Sequence, residues 1–245
     1  MAFAIGLSSL SYQHSANASV VLIQEGTVFG SSSLNSFYNG LSGVTSSTIS
    51  AGLNFNSTTF TNVDLFVAAP PTNAYTAGEI TSLVNFVSGG GTAFLMGENS
   101  GFPTSNNAVN SILSAAGSSL SITPASISGP GGCSINASTG GALVGATMAG
   151  VSSFSWGCGS IVNGGTAELF LDDLSTVMMA SDIVGSGIFV VMGDGNVQTS
   201  GAGNQQFFTN LLSLSTSIEV MEPGTLGILG LGLAGIGFAR RKRTA

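Results

Sequence analysis

Before position 240 the chain contains no lysine and no arginine; its four basic residues are Arg240, Arg241, Lys242 and Arg243. Everything upstream is therefore unable to form a Lys or Arg salt bridge, and its stability has to come from burial and hydrogen bonds. A nucleic-acid partner is excluded on the same ground, because neutralising phosphates requires those side chains. Phosphorylated cofactors are disfavoured too, with only backbone amides left to hold them. Histidine is almost as scarce, His14 being the only one. The two cysteines, Cys133 and Cys158, have no histidine near them and fall short of a four-ligand zinc site.

What the chain has in quantity is apolar and small polar residues. Of its 245 residues 43% are hydrophobic, the mean hydropathy is +0.47, and 36 glycines stand among many Ser, Thr and Asn. Such a composition argues against disorder and for a cored domain with many turns and a surface of hydroxyls and amides. Eleven acidic residues leave the whole chain at −7. Without its end segments it keeps about 200 residues, the size of one domain.

Both ends read as addresses. Ala2 to Leu10 is a short apolar run, and Ala16-Asn17-Ala18 offers the small residues that a signal peptidase reads, so cleavage is expected after Ala18. The cationic opening of such a signal is missing, which makes 1–18 a truncated signal; the alternative is a first strand or frayed end. Export agrees with the cysteines. An even pair in an exported chain suggests a Cys133–Cys158 disulfide closing a loop of about 25 residues, worth about 3 kcal/mol by chain entropy; two free thiols are the alternative.

At the other end, Met221-Glu222-Pro223-Gly224 leads into an uncharged Gly/Leu/Ile stretch that runs to Ala239 and stops at Arg240, Arg241, Lys242 and Arg243. This resembles the PEP-CTERM sorting signal, with Glu222 and Pro223 retained and Met221 standing where the family has its first proline. The resemblance implies export by a Gram-negative bacterium, a transient C-terminal transmembrane helix in the inner membrane, processing by an exosortase, and delivery to the cell surface or extracellular matrix. A permanent, uncut anchor is the alternative.

The body alternates strands and helices. Ser19 to Gln24, Val63 to Ala69, Thr92 to Met96, Ala167 to Leu171, Thr176 to Ala180 and Gly187 to Met192 read as strands. Leu34 to Leu41, a helix capped by Thr76 and Glu79, Asn107 to Ala116, and Asn204 to Leu214 have helical spacing. Between Leu120 and Gly165 the rhythm is lost, and hairpins and loops pinned by the disulfide are expected. The β-α-β-α order predicts an α/β fold with a mostly parallel sheet.

Two stretches, Thr76 to Gly101 and Gly187 to Leu212, resemble class I glutamine amidotransferase-like domains of the non-enzymatic or sugar-associated kind. The resemblance implies a flavodoxin-like three-layer sandwich over 19–215, followed by a linker at 216–221 and the sorting signal at 222–245. Open α/β sheets take ligands at the carboxyl ends of their strands, so the loops carrying Glu98, Asn99, Asp194 and Asn196 are the candidate ligand loops. With no lysine in the domain and its histidine removed with the signal, Cys-His, Ser-His and Ser-Lys catalysis are unavailable. Carboxylate chemistry by Glu98 and Asp194, as in glycoside cleavage, is what remains for an enzyme; a polysaccharide-binding module and a ligand-free scaffold are the other two readings. Calcium is the one cofactor in prospect, on Glu98 with Asp194 and Asn196, or on Asp172 and Asp173 with Asp182. Trp156 offers either a sugar platform or a core residue.

Overall fold

Ser19–Gln24 (β1) strings Val20, Val21, Leu22 and Ile23 together without a polar break, the pattern of a strand covered on both faces, and its last four residues are buried. The computed structural model describes residues 19–26, 31–50, 55–128, 133, 137–138, 142–171, 175–197 and 202–217. After β1 come α1 (Ser31–Asn39), β2 (Val44–Ile49), β3 (Leu65–Ala68), α2 (Ala77–Ser88), β4 (Thr92–Met96), α3 (Pro103–Ala115), β5 (Ser121–Ser128), β6 (Ala137–Ser138), β7 (Ser155–Trp156), β8 (Cys158–Asn163), β9 (Thr166–Phe170), β10 (Val177–Val184), β11 (Gly187–Met192) and α4 (Ala202–Ser217).

Seven strands form the central sheet in the order β2-β1-β3-β4-β11-β10-β9. The first five pair in parallel, while β10 pairs antiparallel with both β11 and β9. Alternate residues serve opposite faces. Val21 and Ile23 of β1 pack with Leu34 and Tyr38 of α1 and with Phe207, Phe208 and Leu211 of α4. Leu22 belongs to the other face, with Leu83 and Val87 of α2 and Val109, Ile112 and Leu113 of α3. Each fully buried aliphatic or aromatic side chain contributes roughly 1.5–3 kcal/mol, and with no lysine or arginine upstream of Arg240 these two cores carry most of the stability. The Tyr38 hydroxyl donates to the Phe208 carbonyl at 3.0 Å and ties α1 to α4 within the first core.

The Thr76 cap holds as expected. Thr76 Oγ1 accepts from the Glu79 amide at 3.3 Å, and Glu79 Oε2 accepts from the Thr76 amide at 2.7 Å. Several elements depart from the sequence reading. β2 was not anticipated; its Val-Thr-Ser-Ser-Thr-Ile run is half-exposed at the sheet edge and owes its form to pairing with β1. There Asn39 closes part of the open edge, its Oδ1 accepting from the Ser46 amide at 2.8 Å and its Nδ2 donating to the Ser46 carbonyl at 3.2 Å. Helix α3 starts at Pro103 rather than Asn107, because proline is well suited to a first helical position. β10 runs on to Val184, since the tight turn at Gly185 (φ 63°) lets it pair with β11 over its whole length. Finally, α4 continues through Ser217, so the first residues of the expected linker are helical.

The middle of the chain does become strands and turns. β5 and β8 pair antiparallel and lay Ile122 and Val162 onto the second core, while β6 pairs with β7. Cys133 and Cys158 form the expected disulfide, with Cα atoms 4.6 Å apart. Among the described residues no helix is long and apolar enough to cross a membrane. The signal segment with Ala16 and Ala18, the sorting signal from Glu222 to Arg243, and Asp172 and Asp173 lie outside the described residues.

Candidate functional site

At the carboxyl end of β4 the chain turns through Gly97 into Glu98, and at the carboxyl end of the adjacent β11 it turns through Gly193 into Asp194. Because β4 and β11 pair directly, with Met96 opposite Met192, their following loops are brought together. Glu98 and Asp194 are both buried, at 2% and 0% exposure. Glu98 Oε1 accepts from the Asn99 amide and from Asn99 Nδ2, each at 2.9 Å. Asp194 Oδ1 accepts from the Asn196 amide at 3.0 Å, and Oδ2 accepts from the Gly157 amide. A side chain at 195 would run into the Pro70 ring and would stand 3.1 Å from Glu98 Oε2, so glycine is what lets the two loops meet.

The electrostatics follow from the missing cations. Burial pushes Glu98 up against the opposing effect of its Asn99 and Gly195 donors. Asp194 is raised to about 7, first by burial and then by the charge of Glu98, again against its amide donors. Two carboxyls in one dry place, with no positive charge to offset them, cannot both stay ionised cheaply.

Sequence reasoning found these two acids but missed what holds them. Asn106, fully buried on α3, accepts from the Glu98 amide through Oδ1 at 2.9 Å and donates to the Glu98 carbonyl through Nδ2 at 2.8 Å. Ser160 of β8 adds a second donor to that carbonyl at 2.7 Å. One signal was available: Asn106 occupies the same helical stripe as Val109 and Leu113, an odd place for an amide without a buried partner. Replacing Asn106 by alanine should cost about 2–4 kcal/mol, lowering the thermal midpoint by roughly 5–15 °C for a domain of this size. Circular dichroism melts decide it, and an unchanged midpoint would show that the clasp carries no weight.

Asn99 and Asn196 are therefore brought to the site, each bonded to its neighbouring acid, and the Asn196 side-chain oxygen is buried without a partner. Asp182 is not. Burial alone would raise it, but donors from Ser118, Ser119 and Ile183 prevail and lower it, and its Oδ2 is taken up by the 118–119 turn. Among the described residues no three of His, Cys, Asp and Glu gather as a metal site would require. Trp156 is fully buried in the first core, so the sugar-platform reading of that residue falls.

Beside the acids lies a cavity of about 220 Å³, lined by Glu98, Pro70, Thr72, Phe102, Thr104 and Ser105 among others. Phe102 is 50% exposed at its mouth. A larger, open depression of about 520 Å³ sits at the opposite, amino end of the sheet, where Phe60 and Phe86 stack at 4.7 Å. Asp64 in that depression already accepts from the Val20 amide at 2.8 Å, and its Ser82 hydroxyl is bonded within α2.

Residues 222–243 match the PEP-CTERM protein-sorting motif. That match supports an exosortase-processed surface protein, with export and transient membrane anchoring before display. No curated protein matches the chain in sequence. Among solved structures, the chain is similar to the mmIFT52 N-terminal domain, at 16% identity and a TM-score of 0.65 over 82% of this chain and 99% of that one. It is also similar to the cytoplasmic protein STM1381 from Salmonella typhimurium LT2, at 10% identity and a TM-score of 0.58 over 82% and 99%. A cold-adapted β-galactosidase from Rahnella sp. R3 matches at 14% identity and a TM-score of 0.52, over 80% of this chain and only 31% of that enzyme. At these identities what is shared is the fold.

Proposed function

We propose that the chain is an exosortase substrate whose ectodomain, residues 19–215, is displayed outside a Gram-negative cell and binds matrix polysaccharide without cleaving it. The ectodomain is flavodoxin-like: β2-β1-β3-β4-β11 follows the 2-1-3-4-5 order of that doubly wound fold, with the antiparallel β10 and β9 added at one edge. Helices on both sheet faces agree with a three-layer sandwich. The observation that carries the non-catalytic reading is the sealing of Asp194. It is 0% exposed and does not line the cavity, so only Glu98 of the pair reaches that space. Glycosidases instead hold their carboxyls on either side of a sugar, about 5–9.5 Å apart.

An Asp194 near pH 7 has the proton affinity of a general acid, which is what a carboxylate-dependent glycan hydrolase would use. The two readings separate on one assay. Full-length protein should be retarded in gels containing polysaccharide from its own host while releasing no new reducing ends. Release of reducing ends that disappears with Glu98→Gln would establish the hydrolase, and absence of retardation would end the binding reading.

A further inference from the structure

The cavity next to the acid pair has a chemistry that narrows its ligand. Its mouth is an exposed aromatic residue, Phe102, which stands directly before Pro103 at the start of α3. Large apolar side chains with this exposure are few among the described residues: Phe102, Val144 and Ile183. Only Phe102 of the three lines a cavity described above. Hydroxyls of Thr72 and Thr104 stand at the rim, and the nearly buried Glu98 closes the bottom. No side chain caps the start of α3.

We propose that this cavity is a subsite for one uncharged pyranose ring of a polysaccharide, stacked on Phe102 and hydrogen-bonded at its inner edge to Glu98. The inference rests on the glycan-binding reading and adds the place and the sugar class. Each part of the lining argues for it. An aromatic face suits the C–H side of a sugar ring, and Phe102 is the half-exposed aromatic residue of the lining. Threonine hydroxyls and a carboxyl exchange hydrogen bonds with ring hydroxyls, whereas a wholly apolar ligand would strip water from them and return none of those bonds. Uronates, sulfated sugars and phosphates are turned away because they would set a second negative charge against Glu98 and Asp194, and the domain has no cation to compensate. At about 220 Å³ the space admits one ring and no more of the polymer, which would pass along the open mouth.

The test uses the full-length chain in a detergent without a sugar head group, with neutral hexasaccharides (cellohexaose, maltohexaose, a mannohexaose) and hexagalacturonate as probes in calorimetry. The expected result is binding of at least one neutral probe, weakened about tenfold by Phe102→Ala, and no binding of hexagalacturonate. A second variant gives a direct signal. Because Trp156 is buried, the indole introduced by Phe102→Trp should report sugar contact as a blue shift in emission, with affinity kept. Neutral probes that bind the wild type and Phe102→Ala equally, or hexagalacturonate that binds as well as they do, would overturn the subsite while leaving glycan binding standing. Binding of none of the neutral probes, when host polysaccharide still retards the protein, would also overturn it; loss of both would remove the binding reading as well.

Discussion

Acidification from pH 7.5 to pH 4.5 should raise the thermal midpoint of the protein by roughly 10 °C, the reverse of what most domains do as their carboxylates are protonated. The sign comes from Asp194. Its folded value of about 7 lies above the ordinary aspartate value of 3.8, so the native state keeps a proton that the unfolded chain gives up between about pH 4 and pH 7. Stability from this group is complete below the unfolded value, falls as pH rises through that window, and is level above it. A difference of about three units corresponds to about 4 kcal/mol, and Glu98, shifted in the same direction, adds to the slope. Asp182 works the other way, but being lowered it acts only at more acidic pH, outside the window. Scanning calorimetry across pH 4.5–8 measures the slope. Relief of general charge repulsion in an acidic, cation-free domain has the same sign, so Glu98→Gln is the control. It removes the lesser cause of the rise in Asp194 together with the titration of Glu98 itself and should make the slope shallower without abolishing it, since burial of Asp194 remains; a slope unchanged by Glu98→Gln, or a midpoint that falls on acidification, would sink the account.

The acid pair itself was legible because topology announces it: two strands ending in Met96-Gly97-Glu98 and Met192-Gly193-Asp194 point to one end of a parallel sheet once the β-α-β order is recognised. Local signals were equally readable. Thr76 and Glu79 are three residues apart and cap one helix with no help from elsewhere, and the Phe207, Phe208, Leu211 and Leu212 stripe of α4 is buried as its spacing requires. What stayed hidden depends on distant partners. The hydroxyl-rich β2 is a strand because β1 and Asn39 supply its hydrogen bonds. Gly157 and Ser160 reach the site from the disulfide-bearing middle of the chain, 37 and 62 residues away from the groups they bond. The cavity mouth was missed for a different reason. With a helix read from Asn107, Phe102 belongs to no element and carries no signal; the observed start at Pro103 makes it the residue directly before α3.

Changing Arg240, Arg241, Lys242 and Arg243 all to serine should cut the amount of processed, surface-displayed protein at least about tenfold, with uncut chain released beyond the inner membrane instead. The apolar stretch from Gly224 to Ala239 has sixteen residues, and as a helix it would reach about 24 Å, short of the roughly 30 Å hydrocarbon core. Six of those residues, at 224, 227, 230, 232, 235 and 237, are glycine, which contributes little to partitioning and weakens the helix. Apolar burial alone is thus a poor brake. Each basic residue costs about 2.5–3.5 kcal/mol at the bilayer centre, so drawing all four through would cost on the order of 10 kcal/mol, enough to hold the chain until the sorting enzyme acts. If charge is the brake, lysine at all four positions should restore display, because the barrier depends on cations rather than on guanidinium geometry. Immunoblots of cytoplasmic, membrane, periplasmic and surface fractions separate the cases. Normal display of the serine variant would refute the brake, and failure of the lysine variant would mean that the enzyme reads arginine itself.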